Sequence, residues 1–276
     1  GRLPRTAIVL LLDRDADRLL AQRADADAVL VKPVDAGTLR RRQGWAKRLG
    51  GTQMRGLFAL DDGSALVADY NQLCRLTYEE GQLTKQALMA ELHPGAEISY
   101  TATPAGVYLT DGYGLWVLRG GAVARATMDA PTAPGLSASA GGSLPGGLYQ
   151  VVCTFERHDG TQSCASVSVQ ADVPDGGILN IHLPTTTQPL TAWVNVFVSP
   201  VNGDALFLAE RLPIGTTSTT LYVPPEQGGR CMTLHMAPMP AGHIVRQHQG
   251  KLLVARGAAV FTSQPYAYGI YDPAED

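Results

Sequence analysis

Long apolar runs are scarce in this chain. Ala7–Leu12 is a short one, and it stops at once against Asp13-Arg14-Asp15. A membrane-spanning helix needs about 20 such residues, so neither a span nor a secretory leader is expected. Aromatic residues make up only 7% of the chain and charged residues 17%. The formal net charge is −3, which offers no broad basic surface for tight nucleic-acid binding. Cysteine is sparse as well: Cys74, Cys153, Cys164 and Cys231 show no C-x-x-C spacing and no neighbouring ligands to complete a zinc site. Cys153 and Cys164 fall on the two arms of a predicted hairpin, where a cross-strand bridge is conceivable. Reduced cysteines acting as small buried hydrophobes are the favoured reading.

The motifs of common catalytic and cofactor sites are also missing. No G-x-S-x-G elbow occurs, and Gly141-Gly142 is not followed by the Lys-Ser/Thr of a phosphate loop. Asp13, Asp15 and Asp17 lack the glycine and distal glutamate of a calcium loop. His243 and His248 lie an odd number of residues apart on a predicted strand and turn, so their side chains point to opposite faces. His182, between Ile181 and Leu183, reads as the outward residue of a strand. No catalytic residue, cofactor or metal is therefore expected, and the chain is not read as an enzyme.

What is present is turn chemistry and short strands. The 276 residues include 30 Gly and 18 Pro and are 45% hydrophobic, enough for one large or two modest β-rich domains. Residues 1–48 stand apart by their Arg and Asp content and are expected to be an extended or irregular segment. Within them, Ala16–Arg23 has helical propensity, Val29–Val31 reads as a strand, and Val34–Trp45 as strand, Gly turn and basic strand. From residue 49 to 130 strand pairs dominate. Gly56–Leu60, the Asp62-Gly63 turn, Ala65–Asp69 and Leu73–Leu76 recur about 42 residues later as Val107–Thr110, the turn Asp111–Gly114 and Leu115–Leu118. A third instance closes the chain, over residues 226–276: a polar strand, the turn Gln249-Gly250, Leu252–Ala255, the turn Arg256-Gly257 and Ala259–Ser263. Tyr266, Tyr268 and Tyr271 follow. They suggest either carbohydrate stacking or, more simply, packing into a final sheet or a subunit contact.

Residues 131–225 read as a different module, opened by Pro131-Thr132-Ala133-Pro134. Tyr149–Phe155 and Ala165–Val169 alternate as a hairpin turning at Asp159-Gly160. Ile178–Leu183, Ala192–Ser199, Ala205–Ala209 and Thr219–Val223 supply more strands, at about the count of a small β-sandwich.

Several phrases carry a resemblance. Gly250-Lys251-Leu252-Leu253-Val254-Ala255 followed by Val260-Phe261-Thr262-Ser263 resembles structural proteins of tailed-phage virions. Leu39-Arg40-Arg41-Arg42-Gln43-Gly44 before Trp45 resembles the L-R-R-R-x-G phrase of phage tail nozzle or head-to-tail connector proteins. Gly147–Ser163 resembles the opening of the fibronectin type III-like domain inserted in many phage tail proteins. The fold so implied is all-β: a β-propeller-like meander platform with an inserted immunoglobulin/fibronectin III-like sandwich and an irregular N-terminal segment. The implied function is a virion tail subunit in a ring of identical copies, a hexamer, continuing the DNA-ejection channel. Portal, adaptor and other tail proteins are the implied partners, with transient non-specific contact with phage DNA and none with membrane. Arg40, Arg41, Arg42 and Trp45 are the candidate channel or subunit contacts. The alternative is a receptor- or glycan-binding module at the tail tip. Ala7–Leu12 and Ala28–Pro33 also resemble the second half of a response-regulator receiver domain. Leu11-Leu12-Asp13 stands where that family places a hydroxyl residue, and the acceptor Asp lies on an earlier strand, so a working phosphorelay is not expected.

Overall fold

A computed structural model describes Val9–Leu12, Ala28–Val31 and residues 49–274. The chain divides into two compact units, residues 1–50 and 51–276. In the first, β1 (Val9–Leu12) and β2 (Ala28–Val31) pair in parallel, Val9 opposite Ala28 and Leu12 opposite Val31. The segment expected to be irregular thus contains a small sheet, built from its two β-branched and leucine-rich stretches. The helix expected over Ala16–Arg23 and the strands over Val34–Trp45 lie outside the described residues.

The second unit is antiparallel throughout, with no helix among the described residues and no sheet closed into a barrel. Its first sheet is a meander of β3 (Met54–Ala59), β4 (Ala65–Asp69), β5 (Gln72–Glu79) and β6 (Gln82–Met89). The second repeats that order with β7 (Ser99–Thr103), β8 (Gly106–Thr110), β9 (Leu115–Arg119) and β10 (Ala122–Arg125).

Seven strands follow as two sheets. One contains β11 (Gly135–Leu144), β14 (Gly177–His182) and β17 (Ser218–Leu221), in that spatial order. The other runs β13 (Val169–Val173), β12 (Gly147–Arg157), β15 (Thr191–Val198), β16 (Phe207–Pro213). The chain then makes β18 (Ala237–Pro238), β19 (Ile244–His248), β20 (Lys251–Arg256), β21 (Ala259–Gln264) and β22 (Ala267–Tyr271). These form a sheet in the order β18-β22-β21-β20-β19.

The three meander sheets stack through their side chains. In β8 and β9 the run of apolar residues is unbroken because both faces of the second sheet are covered. Leu109, Trp116 and Leu118 pack with Leu66, Ala68 and Leu73 of the first sheet. The alternate residues Tyr108, Leu115 and Val117 pack with Val245, Leu252 and Val254 of the last. Each such aliphatic side chain contributes roughly 1.5–3 kcal/mol when fully buried. The first strands of the sheets also adjoin: Phe58 of β3 stacks on Tyr100 of β7, with ring centroids 5.2 Å apart. Between β7 and β19 the link is made by hydroxyls. Ser99 Oγ accepts the Val245 N–H at 3.0 Å, and Thr101 Oγ1 accepts that of Gln247 at 3.1 Å.

The two sheets of seven strands share a core in which β12 and β15 alternate strictly. Tyr149, Val151, Cys153 and Phe155 face Val194, Val196, Val198, Leu179 and Ile181. The opposite face of β12 and β15 is covered by Leu206, Cys231 and Leu234 against Val152 and Phe197.

The hairpin expected from Tyr149 to Val169 is present, but its returning strand begins only at Val169. Over residues 163–166 the returning arm pairs irregularly. Ser163 Oγ accepts the Phe155 N–H at 2.9 Å and Ser166 Oγ accepts that of Cys153 at 3.0 Å. Serine hydroxyls there do part of a strand's work. Similarly, the strand expected over Ala205–Ala209 starts at Phe207 and runs on to Pro213.

Candidate functional site

Two features of the second unit have the character of a functional surface: an exposed sheet face and a cleft. The face is the outer side of the last sheet. Strand register aligns Ile244 with Ala255 and Ala255 with Val260 in one row, and Arg246 with Leu253 and Leu253 with Thr262 in the next. Alternation sends Val245, Leu252 and Val254 inward, so the first row points away from the second sheet. Ile244 is 50% exposed and Val260 58%. The continuous apolar stretch Leu252–Ala255 puts apolar residues on both faces of this sheet.

The cleft, of about 820 Å³, opens where the second meander, the turn after β12, the stretch 232–236 and the last sheet converge. Arg119, at the end of β9, organises its polar wall. Its Nη1 donates to Asp159 Oδ2 at 2.7 Å and to Thr161 Oγ1 at 3.0 Å, its Nη2 to the Tyr108 hydroxyl at 2.7 Å, and its Nε to the Ala105 carbonyl at 2.6 Å. Burial pushes the Asp159 carboxyl up, but hydrogen bonds from Thr161 and Arg119 outweigh it and hold the carboxyl below its ordinary value. Burial raises the Tyr108 phenol against the opposing pull of Arg119.

The tyrosines after Ser263 divide between two roles. Tyr268 is buried and meets Tyr108 edge-on at 5.3 Å, and Tyr271 meets Phe261 at the same distance. Tyr266 instead stands 76% exposed on the cleft rim in the left-handed region, at φ 59°. Its N–H is held by the Gly250 carbonyl at 2.9 Å. Its ring lies so close over Gly250 that a Cβ there would come within 3.2 Å of Tyr266 Cζ. Sequence reasoning had Tyr266 and Tyr268 as candidates but not the cleft, whose walls come from segments more than a hundred residues apart.

Arg40, Arg41, Arg42 and Trp45 lie outside the described residues. Among the described residues, no three His, Cys, Asp or Glu side chains cluster to hold a metal, and no helix is long and apolar enough to cross a membrane. His93 is stacked on Tyr113 at 4.0 Å, and His182 is exposed at the end of β14. All four cysteines are free and buried; burial raises the Cys153 thiol to about 12 and the Cys164 thiol to about 11, so both stay protonated at neutral pH.

No family model, curated protein or solved structure matches this chain.

Proposed function

We propose that the chain is a structural subunit of a tailed-bacteriophage virion, part of a ring-shaped tail nozzle or head-to-tail connector. The observation that carries the reading is the exposed apolar row Ile244–Ala255–Val260 at the end of a three-sheet stack. Meanders of four strands stacked face to face are the make-up of propeller blades, but a propeller closes with about 4–8 of them. Here the middle sheet is covered on both faces, while the last sheet carries the apolar row Ile244–Ala255–Val260 outward, beside a row with Arg246 and Thr262. A second copy supplies the missing cover, and repetition of that contact around an axis closes a ring. In the seven-strand module, β11 pairs with β14 while β12 pairs with β15. That interleaving supports an inserted immunoglobulin/fibronectin III-like sandwich. The work of the assembly is to continue a DNA channel by shape and charge, in contact with portal and adaptor proteins, with Arg40, Arg41, Arg42 and Trp45 as the proposed channel or subunit contacts.

The test is the mass of the purified chain by light scattering, alone and with portal–adaptor complexes, with negative-stain images. A ring in either setting that Val260→Glu returns to monomer, with unchanged melting temperature, is the expected result. A wild-type chain that stays monomeric in both settings would sink the proposal.

A further inference from the structure

We infer that the cleft between the second meander, the turn after β12 and the last sheet is a binding site for neutral saccharides. The inference is independent of the assembly reading, because a monomer can bind sugar and a ring can fail to.

Size comes first: 820 Å³ falls within the roughly 300–1,000 Å³ of small-molecule sites. Charge narrows the class. Arg119 and Asp159 are the charged residues on the lining, and they pair with each other at 2.7 Å. A phosphate, nucleotide or acidic sugar would find no uncompensated cation, whereas a ligand with many hydroxyls needs donors and acceptors side by side. Arg119 spends four of its five N–H groups on Ala105, Asp159, Thr161 and Tyr108 and keeps one. The Asp159 carboxylate accepts the Thr161 N–H at Oδ1, Arg119 at Oδ2 and the Thr161 hydroxyl, which leaves about one of its roughly four acceptor positions for a ligand. Tyr268, 3% exposed, lies in the cleft wall, and its hydroxyl is buried with no hydrogen-bond partner among the described residues.

The aromatic platform decides between a sugar and a merely polar molecule. Tyr266 is an exposed bulky residue in a backbone region that L side chains rarely adopt. It is seated against Gly250 on one side, leaving the rest of the ring open. A ring held in advance in this way loses little freedom on binding, and its face suits the C–H face of a pyranose.

The probes are glucose, galactose, N-acetylglucosamine, maltose and lactose at millimolar concentration, observed by saturation-transfer NMR on the full chain in whatever oligomeric state it adopts. At least one should receive saturation. Tyr266→Ala should weaken its binding about tenfold, or ~1.4 kcal/mol, and Asp159→Asn should weaken it too. Tyr70→Ala, which removes another exposed tyrosine remote in sequence, should leave binding unchanged. With ring-labelled tyrosine in the wild-type chain, sugar-induced shifts should be confined to Tyr108, Tyr266 and Tyr268, which tests the site even if a variant fails to fold. Silence from all five sugars, binding that survives Tyr266→Ala, or shifts confined to other tyrosines would overturn the inference.

Discussion

Asp69, at the end of β4, shows how one side chain can hold a sheet to the chain that leads into it. Its Oδ1 accepts the N–H groups of Thr52 at 2.8 Å and Gln53 at 3.0 Å, and its Oδ2 accepts from Lys85 Nζ at 2.5 Å. The Lys85 hydrogen bond is the largest influence, with the Gln53 amide next, and together they hold the carboxyl down at about 2. In the unfolded chain the same group titrates near ~3.9. The folded form binds its proton less readily, so the contribution is complete above pH ~4 and is lost as pH falls toward 2. Urea midpoints at pH 7 and pH 3 should therefore differ more for the wild type than for Asp69→Asn. Equal differences would show that Asp69 carries none of the acid sensitivity. At pH 7 the substitution should cost about 1–3 kcal/mol, because it removes the charge from three hydrogen bonds.

At the scale of elements, the serines opposite β12 make a similar point about backbone groups. Ser163 and Ser166 are almost fully buried, and their hydroxyls accept amide protons in the middle of a core strand. Alanine at either position leaves a buried N–H without a partner, at about 1–3 kcal/mol each. Both hydroxyls serve the same strand, β12, so the double variant should fall short of the sum. Thermal melts of both singles and the double check this; full stability in either single variant would show that another acceptor takes over.

That hairpin also shows where strands were legible in advance. Ala65–Asp69 and the Gln249-Gly250 turn were read correctly because one apolar run sits between clear turn residues. Other strands escaped notice, among them β6, β7, β10 and β11, and all four lie at sheet edges. An edge strand such as β11, Gly-Leu-Ser-Ala-Ser-Ala-Gly-Gly-Ser-Leu, sets mostly small residues against serine and is interrupted by Gly141-Gly142, so its alternation is faint. The cleft was illegible for another reason: Tyr108, Asp159 and Tyr266 meet only after three sheets have packed, and no spacing in the chain records that.

For the whole molecule, the open question is what fixes the seven-strand module against the meanders on either side of it in sequence. Arg157, the last residue of β12, reaches across. It is 5% exposed, and its Nη1 donates to the Arg125 carbonyl at 2.7 Å and its Nη2 to that of Thr127 at 3.3 Å. Its Nε has no partner among the described residues, and burial draws its pKa down. A buried guanidinium facing carbonyls is an expensive fastener, since desolvation offsets much of what the hydrogen bonds return. It acts as a fastener because both carbonyls belong to the strand exit of the second meander, immediately before the Pro131–Pro134 connector. Arg119 adds a second tie through Asp159, but that pair is partly solvated and worth at most about 1 kcal/mol.

Arg157→Ala should therefore loosen the junction far more than Arg119→Ala. The expected loss is about 3 kcal/mol for two charge-assisted hydrogen bonds. Amide exchange should speed up over residues 125–134, and a single unfolding transition should split as the module uncouples. Arg157→Met, which keeps the apolar stem and removes the buried charge, separates the two effects. If the fastener is what matters, Met should restore melting temperature but not exchange protection at 125–134. Restoration of both by Met would mean that Arg157 fills space and nothing more, leaving the module's orientation to its connectors alone.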